Sequence, residues 1–454
     1  MIPPKPQARN GNVSLRRYAK LLRKDILSAL PDRLYRAKMA EFRMPFIRSF
    51  LLNEPHLVRH VLTECPSRYP KSTRVARGLR PLLGQSVFLT NGALWQKQRR
   101  IIDPAFAEAG LKASLPAMQA AAQAAEKRFQ TLAGPAVQID ALASHAAADV
   151  IFRTLFSRPI SDTIAAETYA AFRSYQRLQP VLSPRAFLPF GPGRAARREA
   201  EKIRRLITMM VQERVKDIAN DCAPDDLATR ILQARDPQTD AHLSETEMVD
   251  QVAIFFLAGH ETSAAALAWA LYLLAVAPEW QDRVATDARR RVTEVSDLGS
   301  LRDTRDVVRE TLRLYPPVPM MVRQAAARTE FRKRAVPCGS QLIISPWHLH
   351  RHKDLWPEPD RFDPTRWRRA GGCPNRSAYL PFSAGPRICP GAGFAMAEVT
   401  VLLTALLRDW RVYPVDRPVP VAHLTLRSQD GIRLRIEPRN KAVTKAQSEW
   451  ETAQ

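Results

Sequence analysis

The longest uninterrupted helical pattern in this chain runs from Glu245 to Pro278. Ser244 and Glu247, three residues apart, make a capping box at its start, and Pro278 marks the exit. A helix of about thirty residues spans roughly 45 Å, about the width of a large domain. It is apolar on every side and offers no face to water, so it must be buried. A membrane would bury it as well as a protein core would. Against the membrane stands the middle of the run, where Gly259-His260-Glu261-Thr262 brings polar groups, and the apolar segment after it is too short for a span. The chain is therefore expected to wrap around this helix. At the polar notch, the glycine and Ala258 are expected to make room for a ligand. Thr262 is placed to bond its hydroxyl back to the carbonyl of Ala258 and loosen one helical turn.

With 454 residues and 45% hydrophobic content, the chain can bury one large core or two. It contains no Gly-rich phosphate loop, repeat or low-complexity block. Its five cysteines are scattered, odd in number and without a C-x-x-C pair, which argues against a disulfide framework or a zinc site and favours a reducing cytoplasm. Residues 1–30 hold no apolar run long enough for a signal peptide or membrane anchor. Residues 1–39 form a basic arm instead, with Arg16, Arg17, Lys20, Arg23 and Lys24 alternating with apolar residues. That pattern suits a solvated helix packed on the domain, or an amphipathic helix in weak peripheral contact with anionic lipid. The body is assigned to residues 40–437 and a polar tail to 438–454. A net charge of +24 calls for an anionic partner. No nucleic-acid motif accompanies it, and aromatics are not interleaved with the basic runs.

The chemistry concentrates in PFSAGPRICPG, residues 381–391. Cys389 directly precedes a proline-free apolar run, Ala392 to Trp410, that is expected to be helical. A cysteine just before a helix N-terminus is expected to have a lowered pKa, and the thiolate is the form that attacks or binds metal. A nucleophile would want a local histidine or lysine base, and none is present. Gly385 and Gly391 are expected to adopt backbone angles closed to other residues and to let main chain approach a flat ligand. Arg387 offers a charged fork for carboxylates and Phe382 an aromatic wall. A thiolate haem ligand uses all of these.

The spacing Phe382-x-x-Gly385-x-Arg387-x-Cys389-x-Gly391 resembles the haem-binding signature of the cytochrome P450 family at every fixed position. The resemblance extends from about residue 40 to 437 with its motifs in the family's order. It implies a mainly α fold with small β-sheets, haem b held by Cys389, and O2 as co-substrate. Trp95 and Arg99 resemble the family's W-x-x-x-R pair on haem propionates, and Arg323 matches a further propionate-binding arginine. Ala258, Gly259, Glu261 and Thr262 resemble the oxygen-binding element, whose acid–alcohol pair delivers protons for O–O cleavage. Glu310 and Arg313, with Arg366, resemble a buried triad that holds the Cys loop in place.

Substrate-pocket residues implied in the same way are Val87, Phe88, Ala258, Val318, Met320 and Met321. The proline-rich stretch 176–194 matches the family's lid, with Phe187, Leu188 and Phe190 at an entrance. The implied activity is insertion of one oxygen atom into a small lipophilic substrate. No fused reductase is expected, so electrons are expected to come from a separate acidic ferredoxin or flavodoxin, with Lys97 and Arg100 as outward contacts. Two alternatives stand beside it: an O2-independent peroxygenase or hydroperoxide isomerase, which commonly lacks the acid–alcohol pair, and a haem-binding sensor without turnover.

Three local readings complete the picture. Ser72 to Asn91 looks like a loop with an apolar tip, and residues 330–346 like short strands turning at Pro337-Cys338-Gly339-Ser340. Asp430-Gly431, between alternating apolar residues, signals a hairpin. His348, His350 and His352 alternate, but no partner ligand cluster makes them a metal site.

Overall fold

The protein is described here from a computed structural model over residues 1–9, 11, 13–44, 47–178, 193–369, 376–422 and 424–439. The first half runs through α1 (Leu15–Lys24), β1 (Met39–Met44), β2 (Ile47–Leu52), α2 (Pro55–Arg59), α3 (Thr73–Leu83), α4 (Gly92–Ile102), α5 (Glu108–Leu132), β3 (Val137–Gln138) and α6 (Ile139–Phe156). Then come α7 (Thr163–Arg177), α8 (Arg194–Ala219), α9 (Leu227–Gln233), α10 (Glu245–Ala275), α11 (Pro278–Asp287) and α12 (Arg302–Leu314). The last third holds β4 (Met321–Gln324), β5 (Thr329–Phe331), β6 (Arg334–Val336), β7 (Gln341–Ile344), α13 (Pro346–Leu349) and α14 (Ala392–Arg408). It closes with β8 (Trp410–Pro414), β9 (Pro420–Ala422), β10 (Leu426–Ser428) and β11 (Arg433–Pro438). Among the described residues the strands form four small sheets, ordered β1-β2-β7-β4, β9-β10, β3-β11-β8 and β5-β6, and of these strand pairings only β2–β7 is parallel.

Helix α10 is the axis. Its capping box is made, with Glu247 N–H donating to Ser244 Oγ and Ser244 N–H to the Glu247 carboxylate. It has the length and composition of a membrane span, but α6, α8, α12 and α14 surround it and Val252, Ala253, Leu267, Leu271 and Leu274 are wholly buried. Gly259 serves this packing: a Cβ there would lie 2.5 Å from Ile151 Cδ1 on α6. The glycine thus admits a neighbouring helix, not a ligand, which corrects the sequence reading.

Two other readings change. Residues 73–83 form a helix, not a loop, because Ala76, Leu79, Leu82 and Leu83 fall on one face and bury it. It closes at Gly84, whose φ of +50° and lack of a Cβ let the Asp250 carboxylate sit against it. The Asp430-Gly431 turn exists, with φ +84° at the glycine, but it does not close a hairpin. β10 pairs with β9, whereas the Asp140 carboxylate takes the Ile432 N–H and leads the chain into β11, beside β8.

Residues 1–6 lie against the same body. Met1 C=O accepts from Phe362 N–H at 3.0 Å, Tyr315 Oη donates to Pro4 C=O at 2.7 Å, and Lys5 pairs with Asp360 at 2.5 Å.

Candidate active site

Two segments that a core should bury are open. Ala258 is exposed in the middle of the buried α10, and Cys389 and Ile388 are exposed on the loop that leads into α14. Cys389 is nevertheless deep in the protein, and its N–H donates to Phe382 C=O at 2.9 Å. Accessible side-chain surface on residues so enclosed marks a recess at the Cys loop and another at Ala258 on α10. Burial pushes the Cys389 thiol up, and the Gly391 N–H, Arg99 and Lys71 only partly offset it. The lowered pKa expected from the helix end is therefore corrected: lost hydration outweighs the helix end in this loop. A thiol in that state is a poor nucleophile, whereas a metal cation at the sulfur would take the proton's place.

The loop's glycines divide the work. Gly385 has φ +70°, and a Cβ there would lie 2.0 Å from Leu62 C=O, so only glycine fits. Gly391 has φ −85°, an ordinary angle, and a Cβ there would meet nothing closer than the Phe106 ring at 4.0 Å. The strained backbone expected at Gly391 is absent, because the residue caps α14 in a conformation open to any side chain.

Beside Cys389 gathers a group of cations with almost no counter-charge. Arg387 lies 4.1 Å over the Trp95 ring and donates to Thr90 C=O at 3.1 Å and Asn91 Oδ1 at 2.8 Å, while its Nη1 is buried without a partner. Arg99 donates to Ile388 C=O at 2.8 Å. Arg323 is buried and bridges to the backbone of Lys71, whose ammonium sits 4.2 Å over Phe88. Burial lowers Arg323 and Arg387 to about 10, and burial with both of those arginines pushes Lys71 far below its usual range. Among the described residues the one carboxylate in ion-pair reach of these four cations is Asp103, 2.6 Å from Arg99. Such a cluster is costly unless an anion enters it.

A second arginine cluster is closed. Glu310 accepts from Arg313 at 2.8 and 2.9 Å, from Arg366 Nε at 3.4 Å and from Asp363 N–H at 3.1 Å, and Glu310, Arg313 and Arg366 are all buried. Arg313 also donates to His350, Pro359 and Arg361 carbonyls, and Arg366 to Pro357 and Glu358 carbonyls. His350 continues the brace: its ring bonds Arg313 C=O at 3.2 Å and takes the Leu380 N–H at 2.8 Å, directly ahead of the Cys loop. Burial lowers His348 and His350 to about 3, so both are neutral struts.

On α10, Thr262 Oγ1 donates to Ala258 C=O at 2.5 Å. Glu261 is buried and points to other partners: Gln176 Nε2 at 3.1 Å on α7, Thr425 Oγ1, and Arg427 on β10. Ser263 donates to Glu398 on α14 at 2.5 Å.

A free cysteine beside cations that are mostly without a counter-charge suits an anionic, metal-bearing ligand. The known proteins similar to this chain agree. The family model described as Cytochrome P450 matches residues 4–434. The chain belongs to the cytochrome P450 family.

Among its P450 relatives, cyclooctat-9-en-7-ol 5-monooxygenase of Streptomyces melanosporofaciens is 34% identical, covering 83% of each chain. Cyclooctatin synthase of the same organism is 30% identical over 94% of this chain and 95% of its own. The solved haem domain of cytochrome P450DA shares the fold, with a TM-score of 0.81, 23% identity and 97% and 98% coverage. As a P450, this protein is a haem-dependent monooxygenase that uses O2.

The remaining predicted P450 residues differ in their surroundings. Phe88 lies under Lys71, and Val87 N–H donates to Gln251 at 2.9 Å. Met320 and Met321 are partly buried on the strand leading to Arg323, and Val318 is 36% exposed. Of the lid, residues 179–192 with Phe187, Leu188 and Phe190 lie outside the described residues, as does the tail beyond 439. Lys97 and Arg100 are not free contacts: Lys97 pairs with Glu247 at 3.3 Å, and Arg100 makes a fork on Asp236 at 2.6 and 2.8 Å. Sequence reasoning missed Lys71, Asn91, His350, Glu398, Thr425 and Arg427. Glu398, nine residues after Cys389 on the helix that follows the Cys loop, was the one with a spacing signal.

Proposed function

We propose that the protein binds haem b and oxidises a small lipophilic substrate, with electrons from a separate acidic ferredoxin or flavodoxin in the cytoplasm. The observation that carries this is the cation cluster beside Cys389, in which four cations have one carboxylate in ion-pair reach among the described residues, Asp103 on Arg99. Cys389 would hold the iron, while Arg99, Arg323, Arg387 and the Trp95 indole would hold the propionates. When bound, haem supplies the activation of O2 and the transfer of one oxygen atom. The protein supplies the rest. The Cys loop fixes the sulfur, braced from below by Glu310, Arg313, Arg366 and His350. Ala258 leaves space on α10, and Thr262 with Glu261 handles protons at that turn. Val87, Phe88, Val318, Met320 and Met321 supply apolar walls that keep water from the reacting bond. The relative named for cyclooctat-9-en-7-ol supports a lipophilic substrate. The net charge of +24 supports an acidic partner, and the four described cysteines, all free, support a reducing compartment.

The test is turnover of a lipophilic panel with purified protein, ferredoxin and ferredoxin reductase. Product carrying one atom of labelled O2 is the expected result. Product from peroxide alone, with none from O2, would convert the reading to a peroxygenase. Ligand binding without product in either system would convert it to a sensor.

A further inference from the structure

Glu261 is held in an unusually complete grip for a proton carrier. Its Oε1 takes the hydroxyl of Thr425 and a guanidinium N–H of Arg427, and its Oε2 takes Gln176 Nε2 at 3.1 Å. The three donors come from two places outside α10. Thr425 and Arg427 belong to the β9–β10 unit, and Gln176 lies on the last turn of α7. Buried His260 stands next along the helix, bonded to Ser144 Oγ at 2.8 Å, with Tyr169 against its ring and Arg173 over Tyr169. The Arg427 side chain is 40% exposed and that of Glu261 only 8%, so this ion pair joins solvent to the notch. Thr262, the neighbouring residue, is committed to Ala258 and makes no contact with the carboxylate.

We propose that Arg427 is a positioning residue for proton delivery: with Thr425 and Gln176 it sets the direction of the Glu261 carboxylate and connects that group to water. The inference rests on the monooxygenase reading and extends it to three residues that none of the signature motifs contains. A proton taken from water at the Arg427 end arrives on Glu261 and leaves toward the open turn at Thr262. A carboxylate freed from its guanidinium loses that alignment, although substrate and haem binding are untouched.

The experiment compares wild type with Arg427→Gln, Arg427→Lys, Glu261→Gln and the Arg427→Gln/Glu261→Gln double variant, all as holoenzyme with normal haem content. Product formed per O2 consumed is expected to fall about tenfold or more in Arg427→Gln, with KM within about twofold of wild type and a larger solvent deuterium effect on turnover. Arg427→Lys recovers most of the loss, and the double variant is no worse than Glu261→Gln. Melting temperatures supply a readout independent of turnover: the two single shifts are expected to be strongly non-additive. Unchanged coupling and isotope effect in Arg427→Gln overturn the proposal, as do additive melting shifts. Absence of turnover in wild type would sink the monooxygenase reading instead, leaving the melting cycle to decide the contact.

Discussion

Two clusters of basic residues adjoin the Cys loop, and they differ in one respect. Glu310 sits inside the first and is matched by Arg313 and Arg366, with every guanidinium nitrogen bonded to Glu310 or to a backbone carbonyl. The second, Lys71, Arg99, Arg323 and Arg387, holds no carboxylate at its centre and leaves Arg387 Nη1 without a partner. Charge that is closed on itself fixes chain geometry, whereas charge left open marks where a ligand's anions go. The difference separates scaffold from site without reference to any motif.

Breaking the closed cluster should have the largest effect. Glu310→Ala strands two buried guanidiniums at a cost of about 3–5 kcal/mol, a large share of a domain's total stability. Soluble, haem-loaded protein should be lost, as read by expression yield and thermal unfolding. Opening the second cluster should do the reverse to the haem-free protein. Arg387→Leu removes an uncompensated buried cation, so the apo melting temperature should stay level or rise. Haem affinity should drop by about ten- to hundredfold, measured by transfer to a haem-scavenging protein. A fall in apo stability would erase the contrast.

Thr262→Ala comes third. It removes one hydroxyl bond to Ala258, for a stability change of about 1 kcal/mol or less. Product per O2 should nevertheless fall several-fold, with the balance appearing as peroxide or water.

The smallest effect concerns a mirror case, a buried carboxyl with no cation. Glu398 is 1% exposed, its Oε1 has no partner, and burial raises it from 4.5 to about 8. The folded protein therefore keeps a proton there that the unfolded chain has released above pH 4.5. This contribution to stability is fully present below pH 4.5 and is lost as pH rises to about 8. Glu398→Gln should flatten that slope in pH-dependent melting, and an unchanged slope would place the titration elsewhere.

What could be read in the sequence follows from range. The α10 pattern, the Cys loop and the Glu310-x-x-Arg313 pair are local, and their residues lie where the spacing put them. Gly259 was misread because the neighbour that needs it, Ile151, is over a hundred positions away and no spacing reveals it. Lys71 and Arg427 were missed for the same reason, since a lone basic residue in a chain with 69 of them carries no signal until the fold sets it beside Arg323 or Glu261. The thiol's direction was wrong because the helix end is visible in sequence and the loss of water around it is not. The loop assigned to residues 72–91 failed on arginines and one proline that masked an apolar face.

The central claim is the bond from Cys389 sulfur to haem iron. Its most direct test is the carbon monoxide difference spectrum of the reduced protein, recorded for wild type and Cys389→Ser. The account predicts the red-shifted Soret band of a thiolate-ligated ferrous carbonyl in wild type and its disappearance in the variant. The same band in Cys389→Ser, or a wild-type protein that takes up no haem when haem is supplied in excess, would contradict it.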